Sequence, residues 1–340
     1  MADFAATGDA SADIVVDEES LEDLCARLEA RVQRDEGGRG IYEILLPPGE
    51  LHGAAQTLYE SRSVAIISGF PCMLDHEPPT ETDGPLGAMA IARACLALGK
   101  AVSILTDECN EDVFLACCAA SGLDDYQRAG LLSLASFPGS ASFDVSDARR
   151  LKEACAAIDL VIAIERAGPA EDGCYYTMRG RDMTALVAPL DELLQPAGDD
   201  DESPLVTPPR SICIGDGGNE VGMGKIYNRL LASSIPNARQ IACVVPADHL
   251  LVCSVSNWGG YALAAATAVY ASQQRRVACR DLVLACVPKP EDEQRMCERI
   301  VAAGARDGIS GRNECMVDGM PLEASLVVLR DLRDIAMGVT

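Results

Sequence analysis

Residues 64–105 decide the fold of this chain. They read Val64-Ala-Ile-Ile67, then Gly87-Ala-Met-Ala-Ile-Ala-Arg-Ala-Cys-Leu-Ala-Leu98, then Val102-Ser-Ile-Leu105. The two short apolar runs are typical of buried strands, and the longer run between them is typical of a helix. Strands that alternate with helices in this way pair in parallel, because a helix returns the chain to the same end of the sheet.

The same alternation continues on both sides of this stretch. Further apolar runs that predict buried strands are Ile44-Leu-Leu46, Leu160-Val-Ile-Ala-Ile164 and Ile212-Cys-Ile214. Strands that are apolar throughout need cover on both faces. The sequence therefore predicts a three-layer α/β fold, a mostly parallel sheet with helices on both faces.

The chain is expected to consist of an arm and one large domain. Residues 1–40 form the arm, an acidic segment followed by a peripheral helix, and residues 41–340 form the α/β domain. The stretch 195–209 carries four consecutive acids and four prolines. It predicts an exposed loop or a boundary between two lobes of the domain.

The charge of the chain restricts its partners. Its 340 residues include 28 Lys and Arg against 52 Asp and Glu, which gives a net charge of −24. Such a surface opposes binding to nucleic acid or to anionic lipid, so we expect neither as a partner. Most of the acids are explained as a solvated surface, and a minority could be ligands for a cation.

Cysteine usage and the absence of targeting signals suggest a reducing compartment. The 15 cysteines include no C-x-x-C pair, and many lie in apolar runs, where a free thiol behaves as a small hydrophobe. No leader is evident, and the longest apolar run is far shorter than the roughly 20 residues that a bilayer requires. We expect a cytoplasmic protein that does not enter membranes, and homo-oligomers remain possible.

Three predicted strands are each followed by an acidic residue. These residues are Asp107, Glu165 and Asp216. The carboxyl ends of parallel strands meet at one edge of the sheet, where ligands bind. Each acid alone could cap a helix or form a surface ion pair, but Glu165 and Asp216 together favour a site.

A glycine-rich segment, Gly215-Asp-Gly-Gly-Asn-Glu-Val-Gly-Met-Gly-Lys225, follows one of these strands. It matches neither the phosphate-binding loop nor the dinucleotide fingerprint. Asp216 and Glu220 could both reach one cation, while the backbone from Gly217 to Asn219 could approach an anion closely. Lys225 could hold a carboxylate or act as a base, or it could be a solvated helix residue.

Three other segments carry polar groups at predicted helix starts or loops. At one predicted helix start, Thr82 or Asp83 would act as the N-cap. The segment there carries two hydroxyls and two carboxylates, more polar groups than a cap needs, on Thr80, Glu81, Thr82 and Asp83. Tyr175, Tyr176 and Arg179 could bind an anionic substrate, and Asn257 and Trp258 could wall a pocket. Core packing is the alternative for the aromatic residues. The three histidines, at 52, 76 and 249, have no ligand spacing and are interpreted as structural.

These motifs make the chain resemble the D-glutamate cyclase C-terminal domain family over about residues 40–340. The runs that carry the resemblance are Pro79-Thr-Glu-Thr-Asp-Gly84, Glu165-Arg166, Asp172-Gly173, Tyr175-Tyr-x-Met-Arg-Gly180, Asp216-Gly-Gly-Asn-Glu-x-Gly-Met-Gly-Lys225, Ser256-Asn-Trp-Gly259 and Asp318-Gly-x-Pro-Leu322. The resemblance implies a three-layer α/β fold and conversion of D-glutamate to 5-oxo-D-proline with loss of water.

The leading hypothesis is therefore a metal-assisted lyase that acts on a small dicarboxylic amino acid. A divalent cation, Mn²⁺ or Mg²⁺, would polarise the γ-carboxyl group. The expected catalytic residues are Glu165, Asp216, Glu220 and Lys225. The expected metal ligands are Asp83, Glu165, Asp216 and Glu220. The expected substrate-binding residues are Thr80, Glu81, Thr82, Gly84, Tyr176, Arg179, Gly217, Gly218, Asn219, Asn257 and Trp258.

Two other functions stay open at this point. Acids clustered at strand ends suit a manganese-dependent phosphoester hydrolase equally well. A domain that binds a metabolite without converting it would use the same pocket.

Overall fold

The structure is a computed structural model that describes residues 18–36, 38, 40–195 and 208–339. The predicted acidic segment at the start of the arm lies outside the described residues. Most of the predicted acidic loop, 196–207, lies outside them as well.

A six-stranded parallel sheet forms the centre of the domain, in the order β3-β2-β1-β4-β5-β6. The strands are β1 (Ser63–Gly69), β2 (Ala101–Asp107), β3 (Leu132–Phe137), β4 (Leu160–Arg166), β5 (Arg210–Gly215) and β6 (His249–Val252). The chain winds outward from β1 to β3, then returns to the middle and winds the other way. The direction of winding therefore reverses between β1 and β4, and ligands bind at such a switch point in open α/β sheets.

Helices cover both faces of this sheet, which confirms the predicted three-layer α/β fold. They are α1 (Glu18–Val32), α2 (Glu50–Glu60), α3 (Pro85–Ala97), α4 (Glu111–Ala120), α5 (Asp124–Arg128), α6 (Val145–Cys155), α7 (Tyr227–Ala232), α8 (Ala238–Ile241), α9 (Ser256–Arg275), α10 (Cys279–Cys286), α11 (Pro290–Ala302) and α12 (Leu322–Met337). A two-stranded antiparallel ribbon, β7 (Met316–Val317) and β8 (Met320–Pro321), precedes α12.

The two faces are covered unequally. Alternate strand residues such as Ile66 and Ile162 join a large core with α1–α4 and α9–α12, and their neighbours Ile67 and Val161 join a smaller core on the other face. The smaller core is completed by α6, by the short helices α7 and α8 and by loops. Because successive side chains of a strand point to opposite faces, each apolar strand serves both cores.

Four of the five predicted strands are present, as β1, β2, β4 and β5. The prediction of a strand at Ile44–Leu46 is wrong: a 3₁₀ helix, Ile41–Glu43, precedes this run, and Ile44 is buried against the smaller core as part of a loop. The sequence analysis missed β3 and β6, the two edge strands. The reason is physical, because β3 is half-exposed and rich in serine and β6 has only four residues.

Helix α9 lies at the centre of the larger helical layer, and 16 of its 20 residues are buried. It contacts α3 at glycines: a Cβ atom on Gly260 would lie 2.7–2.9 Å from the backbone of Gly87. Only residues without side chains allow this approach. The contact sets the N-termini of α3 and α9 beside each other. Within the described residues, no helix combines the length and apolarity needed to cross a membrane.

A buried acid, Glu293 of α11, accepts a hydrogen bond from the Tyr261 hydroxyl of α9. Burial raises the pKa of Glu293 to about 8. Its unfolded-state pKa is near 4.5, so folding favours the protonated form. The stability that this group contributes is fully present below about pH 4.5 and is lost as the pH rises towards 8.

We expect Glu293→Gln to remove this dependence, because glutamine keeps an acceptor for Tyr261 and carries no titrating proton. The difference in free energy of unfolding between the variant and the wild type should shift in favour of the variant by a few kcal/mol from pH 5 to pH 8. The reason is that each unit of pKa shift corresponds to about 1.4 kcal/mol. Urea unfolding at both pH values measures this. Glu298→Gln, an exposed change on the same helix, is the control, and an equal pH response in both variants would contradict the prediction.

Candidate active site

The candidate site is a cavity of about 580 Å³ beyond the carboxyl ends of β1, β4 and β5. It lies at the switch point of the sheet. One end is closed by five buried acids, which we call the acidic cluster: Glu81, Glu165, Asp216, Glu220 and Asp318. The other end is open, and exposed residues line it.

Two helix N-termini beside the cavity cap each other. The Asp83 carboxylate, from the loop before α3, accepts hydrogen bonds from the N–H groups of Ser256 and Asn257 at the start of α9, both at 2.8 Å. In return, the Asn257 side-chain oxygen accepts from the N–H groups of Gly84 and Gly87 at the start of α3, at 3.0 and 2.7 Å. These bonds satisfy N–H groups that a helix leaves unpaired.

Glu165 lines the cavity from a strained position in β4. It is the second-last residue of the strand and has φ +40°, in the left-handed region that glutamate rarely adopts. Its carboxylate accepts a 2.6 Å hydrogen bond from the Ser256 hydroxyl. Gly84 packs against it so closely that a Cβ there would lie 3.0 Å from the Cβ of Glu165. The strain is consistent with a functional position.

The glycine-rich turn after β5 is held by its own glutamate. The Glu220 carboxylate accepts hydrogen bonds from the N–H groups of Asp216, Gly217 and Gly218, at 3.1, 2.6 and 2.6 Å. The side chain of Asn219 donates to the Tyr176 carbonyl at 2.7 Å. The turn therefore presents the carboxylate of Asp216, while its N–H groups are already paired within the protein.

Carboxylate oxygens converge on Asp216 from two sides. Atoms of Glu165, Asp216 and Glu220 lie within 4.8 Å of one another, and so do atoms of Asp83, Asp216 and Asp318. Burial, followed by repulsion from Asp216 and Glu220, raises the pKa of Glu165 well above its usual range. Buried like charges at this spacing are stabilised by a proton or by a cation.

The opposite wall of the acidic cluster comes from the C-terminal part of the chain. Asp318 lies in the β7–β8 turn with φ +51°. The buried Asp307 carboxylate holds this turn through the N–H of Gly319, and it holds the neighbouring loop through the N–H of Ser310, both at 2.7 Å. Burial, and then Asp318, raise the pKa of Glu81 well above its usual range.

Two guanidinium groups lie at the open end of the cavity. Arg179 donates to the Ile309 carbonyl at 3.0 Å, and no carboxylate among the described residues forms an ion pair with it. Arg181 pairs with Asp75 through two hydrogen bonds of 2.7 and 2.9 Å. The cavity is thus acidic at its buried end, while Arg179 and Arg181 line its open end and Asp35 also lines the cavity.

Asp107, the third acid at a strand end, is neutralised by another residue. Arg166 binds both of its oxygens, at 2.6 and 2.8 Å, and both residues are fully buried. The Ala188 N–H also donates to Asp107. This pair ties β2 and β4 together beneath the cavity, so Asp107 has a structural role.

The structure places several predicted residues away from the cavity. Lys225 does not fit the expected role of a base in this site: its ammonium binds Glu50 at 2.8 Å and the Asp248 carbonyl at 2.7 Å, and it lies outside the cavity. Tyr176 does not line the cavity either, and its hydroxyl donates to Asp172.

The predicted substrate-binding residues near the helix starts have structural partners instead. Trp258 and Asn257 are completely buried, and the Trp258 indole N–H donates to Ser325. The hydroxyls of Thr80 and Thr82 bind Asn110 and the Met316 carbonyl. The N–H groups of Gly84, Gly217 and Gly218 are paired within the protein, and the side chain of Asn219 donates to the Tyr176 carbonyl. Binding of a substrate carboxylate by these N–H groups stays a prediction, although they have these partners within the protein.

The sequence analysis did not assign Asp318 to the site, although it lies in the acidic cluster. An Asp-Gly pair between two short apolar runs is typical of a hairpin turn. This pattern was the sequence signal that could have drawn attention to Asp318. The apolar wall of the cavity was not predicted either, and it comprises Phe70, Cys72, Met73 and Met178. No periodic pattern marks these residues because they lie in loops.

Comparison with known proteins identifies the family. A family described as "D-glutamate cyclase-like, C-terminal" matches residues 28–333. The chain is also 34% identical over 313 residues to a human protein named "D-glutamate cyclase, mitochondrial", an alignment that covers 86% of this chain and 48% of that protein. The chain therefore belongs to the D-glutamate cyclase-like family. It spans about half the length of the human relative, and its cytoplasmic location stays a prediction.

We expect Asp83→Asn to weaken the paired helix starts, because an amide offers one acceptor oxygen where the carboxylate uses two. The free energy of unfolding should fall by about 2 kcal/mol or more, as for other buried hydrogen bonds to charged groups. Urea unfolding measures the loss. Asp23→Asn, on the exposed side of α1, should change stability by no more than about 0.5 kcal/mol. Equal stability of the two variants would contradict a capping role.

Proposed function

We propose that the cavity closes D-glutamate into 5-oxo-D-proline with loss of water. The observation that carries this proposal is the distribution of charged groups in the cavity. Buried acids lie at one end. At the other end lies the guanidinium group of Arg179, which has no carboxylate partner among the described residues. Family membership and the name of the human relative support the same reaction. A ligand with an ammonium and a carboxylate at neighbouring atoms fits such a field.

The reaction sets clear demands on the protein. The amine nitrogen forms a bond to the γ-carboxyl carbon, and one γ-carboxyl oxygen leaves. Two protons of the ammonium group depart with that oxygen as water, so no other reactant is needed. The protein must hold the two ends of the substrate together, remove protons from nitrogen and deliver protons to oxygen.

The described side chains supply these functions in one orientation of the substrate. Arg179 binds the α-carboxylate at the open end, in a charge-assisted hydrogen bond. Phe70, Met73 and Met178 pack against the methylene groups. The ammonium and the γ-carboxyl then lie at the acidic cluster, and the bent substrate brings its nitrogen close to the γ-carbon.

Glu81 is the proposed proton carrier. Its carboxyl lines the cavity, is 6% exposed and has a thiol, that of Cys72, as a hydrogen-bond partner. The raised pKa favours the protonated form, so this group can donate a proton to the leaving oxygen and then accept one from nitrogen. Glu81 therefore connects the two proton transfers that the reaction requires.

Glu165, Asp216 and Glu220 would hold a divalent cation. Their donor atoms are all carboxylate oxygens, which suit Mn²⁺ and Mg²⁺ better than softer metals. Burial, followed by repulsion from Asp216 and Glu220, raises the pKa of Glu165, and a nearby cation would favour its charged form. A bound cation supplies polarisation of the γ-carboxyl group. We assign Asp83 to positioning, because its carboxylate caps α9.

One observation favours a second candidate function. Asp216 belongs to both groups of converging carboxylates. A shared carboxylate between two groups of oxygens also suits a two-metal hydrolase of phosphoesters. Hydrolysis of phosphomonoesters with Mn²⁺, without any conversion of glutamate, would replace the proposed function, whereas binding of glutamate without turnover would indicate a metabolite-binding domain.

The first test is turnover by the purified chain. D- and L-glutamate and both 5-oxoprolines are incubated with Mn²⁺, Mg²⁺ or chelator, and the products are separated by chiral chromatography with mass spectrometry. We expect interconversion of the D forms only, and loss of activity with chelator. Absence of interconversion with either metal would refute the proposed reaction, and activity that survives chelation would refute the metal.

Two isosteric changes separate the proposed roles. Asp216→Asn should lower kcat at least 100-fold, because it removes the carboxylate common to both groups. Glu81→Gln should lower kcat while KM changes less than threefold, because an amide cannot carry the proton. Asp112→Asn, an exposed change in α4, is the control. Wild-type kcat in either site variant would remove that residue from the mechanism.

A further inference from the structure

The cavity is larger than the proposed substrate. Glutamate has ten non-hydrogen atoms. A water molecule takes up roughly 30 Å³ in the liquid, and if each atom of glutamate is given that volume, the whole molecule fills about 300 Å³. The cavity measures about 580 Å³. Ligands of drug size occupy cavities of about 300–1,000 Å³ and leave little of their surface exposed. The cavity therefore has room for a molecule roughly twice the size of glutamate.

The unused space lies at the open end. The acidic cluster is no more than 7% exposed, which marks it as the deep end. The lining residues Tyr42, Ser234, Pro236 and Ile309 are all exposed, and Tyr42 is 65% exposed. Three of them offer apolar surface to a ligand, which amino-acid side chains can cover.

The proposed orientation decides which end of the substrate extends into this space. With the amine and the γ-carboxyl at the acidic cluster, the α-carboxyl points to Arg179, which is itself exposed at the open end. A substituent on the γ-carboxyl would instead meet the buried acids. Only the α-carboxyl can be extended without filling the deep end.

We propose that the preferred substrate is a peptide that begins with a D-glutamyl residue, linked to the next residue through its α-carboxyl. This inference rests on the proposed function. The chemistry is the same: the terminal amine bonds to the γ-carboxyl carbon, and a γ-carboxyl oxygen leaves as water with two ammonium protons. The product is a peptide with a 5-oxoprolyl start.

The polar groups of the open end fit the rest of such a peptide. Arg179 donates to the α-carbonyl oxygen of the D-glutamyl residue, which takes the place of the free α-carboxylate. Arg181 also lines the cavity, with its guanidinium group paired with Asp75. Tyr42 and Pro236 provide the surface against which its side chain packs.

The test compares three substrates on the purified chain under the same metal conditions: D-glutamate, α-linked D-glutamyl-L-tyrosine and its γ-linked isomer. Mass spectrometry measures loss of water and release of free tyrosine, with a reaction lacking protein as background. We expect kcat/KM for the α-linked dipeptide to exceed that for D-glutamate at least tenfold, with loss of water and no free tyrosine.

Substitution at the open end tests the same inference independently of the chemistry. Tyr42→Ala should lower kcat/KM for the α-linked dipeptide at least fivefold more than for D-glutamate, while Tyr42→Phe keeps the wild-type ratio. Circular dichroism checks the fold, which an exposed side chain should not disturb.

The outcomes distinguish this inference from the proposed function. Turnover of D-glutamate without faster turnover of the α-linked dipeptide would overturn the inference and leave the cyclase function intact. Preference for the γ-linked isomer, with release of tyrosine, would overturn the direction of extension. Turnover of none of the three substrates would overturn both.

Discussion

The mutual capping of α3 and α9 is the interaction on which the rest of the site depends. Two helix N-termini that face each other carry partial positive charges that repel, and their first N–H groups need acceptors. The side chains of Asp83 and Asn257 accept hydrogen bonds from these N–H groups and place oxygen atoms beside the positive helix ends. Each side chain caps the N-terminus of the other helix. The glycine contact between Gly87 and Gly260 brings the helices close enough for this exchange. Ser256, one residue from Asn257, can then reach Glu165.

The buried acids around this contact have different roles despite similar surroundings. Asp107 is neutralised by Arg166, Asp83 binds helix N–H groups and Glu220 binds the N–H groups of its own turn. These three carboxylates hold the architecture. Burial, and then repulsion from other buried acids, instead raises the pKa values of Glu165 and Glu81. Groups with strongly shifted pKa values are candidates for functional roles, and for this reason we look for the reactive groups at Glu165 and Glu81.

The site draws on distant parts of the sequence. The deep end combines the ends of β4 and β5 with a turn near the C-terminus, and the open end combines the segment before α2 with loops near residues 179, 236 and 309. A cavity assembled from so many loops can change its open end without changing its deep end. Substrate length and reaction chemistry are therefore separable properties in this fold.

Local patterns in the sequence determined the layers of the fold and the neighbourhood of the site. Apolar runs such as Leu160–Ile164 predict buried strands, and acids that follow parallel strands meet at one edge of the sheet. Edge strands escaped detection because partial exposure and short length weaken the same pattern. Tertiary structure alone decided which polar groups are available. Asn257 and Lys225 suit a site by residue type, but Asn257 pairs with backbone groups and Lys225 pairs with Glu50. Hydrogen-bond partners lie up to hundreds of residues apart in the chain, so no local pattern can reveal them.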